Sequence, residues 1–231
     1  MQNIIKALKL NLIKDDRYLF LVDGFKNTMI ITVFATLLGI LLGLIIAIIR
    51  TTYDNTKKLK FLNSVCQVYI TVIRGTPVVI QLMILFFCIF TSRDISGVVV
   101  AIIGFGLNSS AYVAEIFRSG LMSIDIGQME AGRSLGLSYF DTMKHIIVPQ
   151  AFKVVLPALC NEFIVLIKET SVAGYVAVQD LTKGGDIIRS RTYDAWTPLL
   201  VVAGIYLLLT CIFSAAVKKL EVNLRKNERR G

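Results

Sequence analysis

The chain has little of what a soluble enzyme carries. Only 18% of its 231 residues are charged, against about 25% in an ordinary soluble domain. It has one histidine, His145, with no H-E-x-x-H or other ligand spacing around it, so a catalytic zinc site has no basis. The four cysteines, Cys66, Cys88, Cys160 and Cys211, sit singly inside apolar runs with no C-x-x-C pair. They read as small packing residues rather than disulfide or metal partners. No G-x-x-x-x-G-K-[ST] occurs, which argues against ATP binding by this chain. "GRSLG" at Gly132–Gly136 fits G-x-S-x-G, but a nucleophile elbow needs a strand before it and an α/β sheet around it, and neither is written here. The short apolar region and cleavage site of a removable signal peptide are also missing, so the first spanning helix is expected to target the chain.

What is present is hydrophobicity in long uncharged runs. Hydrophobic residues make up 55% of the chain, and mean hydropathy is +0.68. Residues 29–49 contain no charge, and at ~1.5 Å per residue they cross a ~30 Å hydrocarbon layer. Further spans are expected at 63–90, 95–117, 154–178 and 197–217, the second interrupted by "RGTP" at Arg74–Pro77. The fold class is therefore an all-α membrane protein with five transmembrane helices. Residues 1–24 form an external or interfacial tail, 25–218 the transmembrane domain with a loop at 118–153, and 219–231 a basic tail. Ala35, Gly39, Gly43 and Ala47 recur every fourth residue of the first span, a small-residue stripe suited to close helix contact.

Five spans put the termini on opposite sides. The first loop (Arg50–Lys60), the third (Arg118–Lys153) and the C-terminal tail (Lys218–Arg230) hold fourteen of the 25 Lys and Arg residues. The other side holds nine, among them Lys6, Lys9, Lys14, Arg17, Arg93 and Arg191. The positive-inside rule then predicts a cell-membrane protein with its N-terminus outside and its C-terminus in the cytoplasm. The basic N-terminal segment could lie along the membrane surface as an amphipathic helix; a flexible tail reads equally well.

The third loop stands out. "GQMEAGRSLGLSYFDTMKHIIVPQAF" carries acids, bases, three glycines and a proline. Its first half reads as a short helix starting near Ser123 or Gly127. Gly136 suits the left-handed position that ends a helix, and Ser138 with Asp141 resembles a capping box for a second one. Pro149 permits a bend before the fourth span. A free helix this short is marginal in water, and lipid offers nothing to Glu130 and Arg133. A soluble partner protein would.

These residues carry a resemblance. Glu130-Ala131-Gly132, three residues, Gly136, nine residues, then Ile146-x-Val148-Pro149 resembles the EAA motif, EAA-x3-G-x9-I-x-L-P, of permease subunits of binding-protein-dependent ABC importers. The sequence departs from it at Gly132 and Val148. "GFKNTMIIT" at 24–32, "YITVIRGTPVVIQL" at 69–82, "GLNSSAYVAEIFRSG" at 106–120 and "LPALCNEFIVLIKETS" at 156–171 are similar to polar amino-acid permeases of that family, over about residues 24–217. The resemblance implies a type I importer permease fold and a cytoplasmic coupling helix containing Glu130, Ala131 and Gly132, closed by Gly136 and Pro149. It implies cytoplasmic ATPase subunits that hold ATP and Mg, a second permease copy or paralogue, and an extracytoplasmic solute-binding protein. This chain would be a transport subunit, with no catalytic residue and no bound cofactor of its own.

Ionisable groups inside spans cost roughly 2.5–3.5 kcal/mol each on insertion scales and face a partner or a wet cavity. Arg74 suits an amino-acid carboxylate, and the break at Gly75, Thr76 and Pro77 would free backbone to line a cavity. Asn161 and Glu162 suit the ammonium or a polar side chain. Asn108, Tyr112 and Glu115 share one helix face, lining a cavity or an interhelical seam. Gln81 and Lys168 complete the substrate-path candidates, Lys168 with Glu169 as a gate or subunit contact. Arg74 could instead pair with Glu162 or Glu115 and only hold helices together. Other solutes on the same architecture, or an ion-coupled secondary transporter using Glu115 and Glu162, are the alternatives; the lack of an inverted repeat counts against the latter.

Overall fold

The computed structural model of the chain describes residues 6–92 and 94–226, with the side chains of all but the last two of these. Arg93, Arg229 and Arg230, and the side chains of Arg225 and Lys226, which entered the charge count above, lie outside the described residues. Every regular element among the described residues is helical.

The first long helix, α1, runs Tyr18–Thr56. At ~1.5 Å per residue it is far longer than the hydrocarbon layer is thick. Hydropathy marked only its lipid-facing middle. Its N-terminal end continues because it packs on protein: Asn27 donates to the Gln179 carbonyl at 2.9 Å, and the Thr28 hydroxyl accepts from the Leu181 amide at 3.1 Å. The boundary expected at residue 24/25 therefore falls inside a helix. Preceding it, Lys9–Ile13 forms one π-helical turn. Asn11 there is buried and donates to the Asp194 carboxylate at 2.8 Å, while Leu12 packs with Leu21, Leu181, Ile188 and Val202. Asn11 and Leu12 thus face protein, while Leu10 and Ile13 are exposed.

The expected break is real. Helix α2 (Lys60–Gly75) and α3 (Val78–Ile84, continued by a π-turn through Ile89) meet at 108°. Helix α4 (Gly97–Met122) packs along α1 and is the most enclosed span. Gly39 and Gly43 of the predicted stripe lie against it: a Cβ on Gly43 would sit 2.6 Å from Val113 Cγ1 and 2.9 Å from the Ser110 carbonyl oxygen. Ala35 and Ala47 of the same stripe are buried.

The third loop folds as α5 (Ile126–Ser134) and α6 (Tyr139–Thr142). A π-turn at Met143–Ile147 then leads into α7 (Val148–Glu169), which ends in a 3-10 segment at Thr170–Val176. Pro149 stands at the start of α7, just after that turn. Its missing N–H thus falls where the hydrogen-bond ladder is already being re-registered, and the helical trace passes through it.

Residues 179–196 read as loop in the sequence, yet Leu181–Thr192 is a helix, α8. Asp180, fully buried, caps it by accepting from the Thr182 amide at 2.8 Å and the Lys183 amide at 3.3 Å, and burial pushes its carboxyl above the usual carboxylate range. The helix is possible because two glycines bring backbones together. A Cβ on Gly24 would meet the Asp180 oxygen at 2.5 Å, and one on Gly184 the Phe20 oxygen at 2.4 Å. The last helix, α9, is Trp196–Lys226, so the boundary expected at 218/219 also lies within a helix. Among the described residues four helices are long and apolar enough to span a membrane, or five if the bent pair counts as one span.

Candidate functional site

The α2–α3 break gathers most of the polar candidates. Pro77 has no N–H, so the Ile73 carbonyl four residues earlier loses its helical donor. The Gln81 side-chain amide fills that gap. Its Nε2 donates to the Ile73 carbonyl at 2.8 Å and to the Thr76 carbonyl and hydroxyl at 3.0 and 2.8 Å. The Thr76 hydroxyl donates to the Val72 carbonyl at 2.8 Å. The other end of Gln81 accepts from Asn108 Nδ2 on α4 at 3.0 Å. The break is thereby tied to the buried centre of the protein. Gly75 has nothing near the position of a Cβ.

Arg74, the last polar side chain before the break, is exposed. Its guanidinium carbon lies 5.3 Å from the centroid of the Tyr112 ring, in range for a cation–π contact. Among the described residues it has no carboxylate partner; the pairing with Glu162 or Glu115 that the sequence left open is not formed. An exposed guanidinium propped on an aromatic face, beside a helix break, presents a fork suited to a carboxylate.

The Asn108–Tyr112–Glu115 face divides. Asn108 and Tyr112 join the break. Glu115, one of the expected substrate-path residues, is instead held in an ion pair with Arg50 of α1, both side chains largely shielded. One turn further along, Arg118 Nε donates to the Asp54 carboxylate at 3.4 Å. Arg50 read in the sequence as a loop charge because it ends the uncharged run. The missed signal was its spacing: Arg50 and Asp54 at i, i+4 oppose Glu115 and Arg118 at i, i+3 with complementary sign.

Glu162 is buried and accepts from the Ser109 hydroxyl at 2.9 Å. It stands in the wall between α4 and α7, whereas its neighbour Asn161 is exposed. Nothing in the sequence singled out Ser109. Lys168 is exposed and Glu169 half-buried at the far end of α7, just before the Thr170–Val176 segment that packs on α3.

At the opposite end, the loop between α4 and α7 begins with a helix closed at both ends. The Asp125 carboxylate accepts from the Gly127 amide at 2.6 Å and caps α5. Its C-terminus closes with the Leu137 amide on the Gly132 carbonyl at 3.1 Å and the Gly136 amide on the Arg133 carbonyl at 3.0 Å, with Gly136 at φ +84°. That is a Schellman closure, and only its C′ residue needs the left-handed conformation. The Ser138 hydroxyl then accepts from the Asp141 amide at 3.1 Å, the cap expected from the sequence. Gly132 is where this chain departs from the alanine of the EAA pattern, and the packing supplies the reason: a Cβ there would sit 2.6 Å from Thr142 Cγ2. Glu130, Ala131 and Arg133 are exposed on α5. Ile126, Leu135 and Phe140 are 76%, 82% and 71% exposed, an apolar surface that water alone does not favour.

Comparison with known proteins agrees with this architecture. The profile of the family described as "binding-protein-dependent transport system inner membrane component" matches residues 20–226. The chain is 34% identical over 213 residues to the putative glutamine transport system permease protein GlnP of Rickettsia typhi, covering 91% of this chain and 95% of that one. It is 35% identical to the glutamine transport system permease protein GlnP of Escherichia coli, covering 89% and 93%. Among solved structures, an amino acid ABC transporter crystallised with histidines aligns with a TM-score of 0.82 at 38% identity, over 88% of this chain and 94% of that chain.

Proposed function

We propose that this chain, which belongs to the family of binding-protein-dependent transport system inner membrane components, is the permease subunit of an ATP-driven ABC importer for polar amino acids. It is a multi-pass inner-membrane protein and not itself an enzyme. In this reading it forms the translocation path with a second permease copy or a paralogue. Cytoplasmic ATPase subunits bind ATP and Mg²⁺, and an extracytoplasmic solute-binding protein delivers the substrate. The N-terminus is placed outside and the C-terminus in the cytoplasm.

The observation that carries the reading is the lever. Helix α5 is capped at one end and closed by a Schellman turn at the other, yet it leaves Glu130 and a set of apolar side chains exposed. A partner that grips α5 can transmit movement into α4 and α7, between which the loop is strung. Those two helices carry Asn108, Ser109 and Glu162. Substrate binding is assigned to the cavity side of the α2–α3 break. Arg74 there receives the α-carboxylate, and Thr76, Gln81, Asn108 and Tyr112 set its position. Asn161 lines the path, and Glu162 in the wall supplies negative charge toward the ammonium. Glutamine is favoured among the substrates because that is the solute in the names of both relatives.

The test is to purify the tagged chain with its associated proteins and to measure ATP hydrolysis with binding protein plus each polar amino acid. An ATPase partner and stimulation by one amino acid are expected. Glu130→Lys is expected to abolish uptake while the protein stays in the membrane. Unchanged uptake by that variant would remove the coupling role of α5.

A further inference from the structure

A groove of about 530 Å³ opens between the end of α1 that carries the Arg50–Glu115 pair, α4, and the α6–α7 segment. That volume is in the range of small-molecule sites. We propose that it binds one anionic phospholipid of the leaflet on the coupling-helix side.

Its lining changes character along its length. Leu44, Ala47 and Ile48 on α1, with Val155 opposite, make one end apolar. Thr52 and Asn55 on the next turns of α1, with Tyr139, Phe140, Met143 and Lys144, line the other end, where Lys144 is the one charged residue of the lining. From Leu44 to Thr56 the helix advances ~18 Å, close to the ~15 Å of one leaflet's share of the hydrocarbon core. An apolar groove of this length with a lysine at one end matches an acyl chain that ends beside a charged headgroup.

Charge decides the headgroup. Lys144 is exposed at the polar end, and Lys57, Lys58 and Lys60 follow Thr56 in the turn that leaves it. Asp54 is paired with Arg118, and Asp141, hydrogen-bonded to the Ser138 hydroxyl, stands against these four lysines. The mouth is therefore net positive, and a basic pocket between helices at the membrane surface favours an anionic headgroup. The groove is also separate from helix α5. None of its lining residues belongs to α5. Gly132 of α5 packs against Thr142 and Ile146, neither of which lines the groove.

The inference rests only on the chain's place in a membrane, so a failure of transport assays leaves it intact. The chain's one tryptophan, Trp196, begins α9 at the far end of the fold. Replaced by phenylalanine and combined with Phe140→Trp, it gives a protein with one reporter in the groove. In nanodiscs of phosphatidylcholine, quenching by brominated phosphatidylglycerol is expected to exceed that by brominated phosphatidylcholine about fivefold at equal mole fraction, and Lys144→Glu is expected to erase the preference. Native mass spectrometry of the chain with Phe140 and Trp196 intact, with and without Lys144→Glu, gives the same reading as retained phosphatidylglycerol if the tryptophan variant folds poorly. Equal quenching by the two lipids would make the groove ordinary annulus. Loss of quenching on adding the ATPase, or cross-linking of a cysteine at position 140 to a second copy, would make it a protein interface. Each of these outcomes overturns the proposal.

Discussion

Helices α4 and α9 both span the membrane, and they differ in the opposite sense from helices of a soluble protein. The less hydrophobic one, α4, has mean hydropathy 1.7 and 61% of its apolar window buried; the more hydrophobic α9 reaches 2.5 with 6% buried. In water the apolar helix would occupy the centre. In lipid the apolar surface is already solvated, and polar groups and close backbone packing draw helices together. Helix α4 supplies both. Asn108, Ser109 and Ser110 are buried, and each finds a partner, on Gln81, Glu162 and Tyr69. Gly104, Gly106, Ala111 and Ala114 let neighbours approach. The buried centre is thus built on one of the two least hydrophobic spans.

The strongest way to break this contrast is to place the same bulk in both helical environments. Gly43→Leu drives a side chain into Val113 and the Ser110 carbonyl of α4, and overpacking of that kind is expected to cost about 3 kcal/mol. Gly204→Leu on α9 has nothing within 4 Å of its Cβ and should leave stability unchanged. Unfolding in mixed detergent micelles reads both, and equal losses would dissolve the distinction. A smaller effect is expected where α1 is tied to α4 by charge. Arg50→Gln, Glu115→Gln and the double variant should show a coupling of about 1–3 kcal/mol in the same assay. Additive losses would mean that the pair is incidental. The smallest belongs to α9: Leu208→Ala, at a side chain 61% exposed, should change stability by no more than about 0.5 kcal/mol. A loss of permease–permease association in that variant would show that a second copy, not lipid, covers α9.

Much of the lever was legible because its signals are local. Gly136 needs φ > 0, Ser138 and Asp141 need only to be three residues apart, and the EAA spacing spans a single segment. The break was legible from Gly75 and Pro77 for the same reason. The candidate site was legible in composition and not in arrangement. Arg74 and Gln81 were chosen from one stretch and Asn108 and Tyr112 from another, and the two stretches do meet. Glu115 shares their helix face and was read with them, but a seven-residue offset carries it to Arg50 instead. Ser109 gave no signal, since a serine in a span is unremarkable until its partner Glu162 is known.

The sequence by itself determined the helical class, the number of apolar runs, the site of the break and the caps of the segment between α4 and α7, because each depends on residues within a turn or two of one another. Only the tertiary structure decided where the helices end, that residues 181–192 form α8, which acids are paired and which span is central. Helix ends beyond the hydrocarbon, such as those of α1, are held by contacts with residues more than sixty positions away. Hydropathy measures what lipid would do to a segment and is blind to what another helix will do to it.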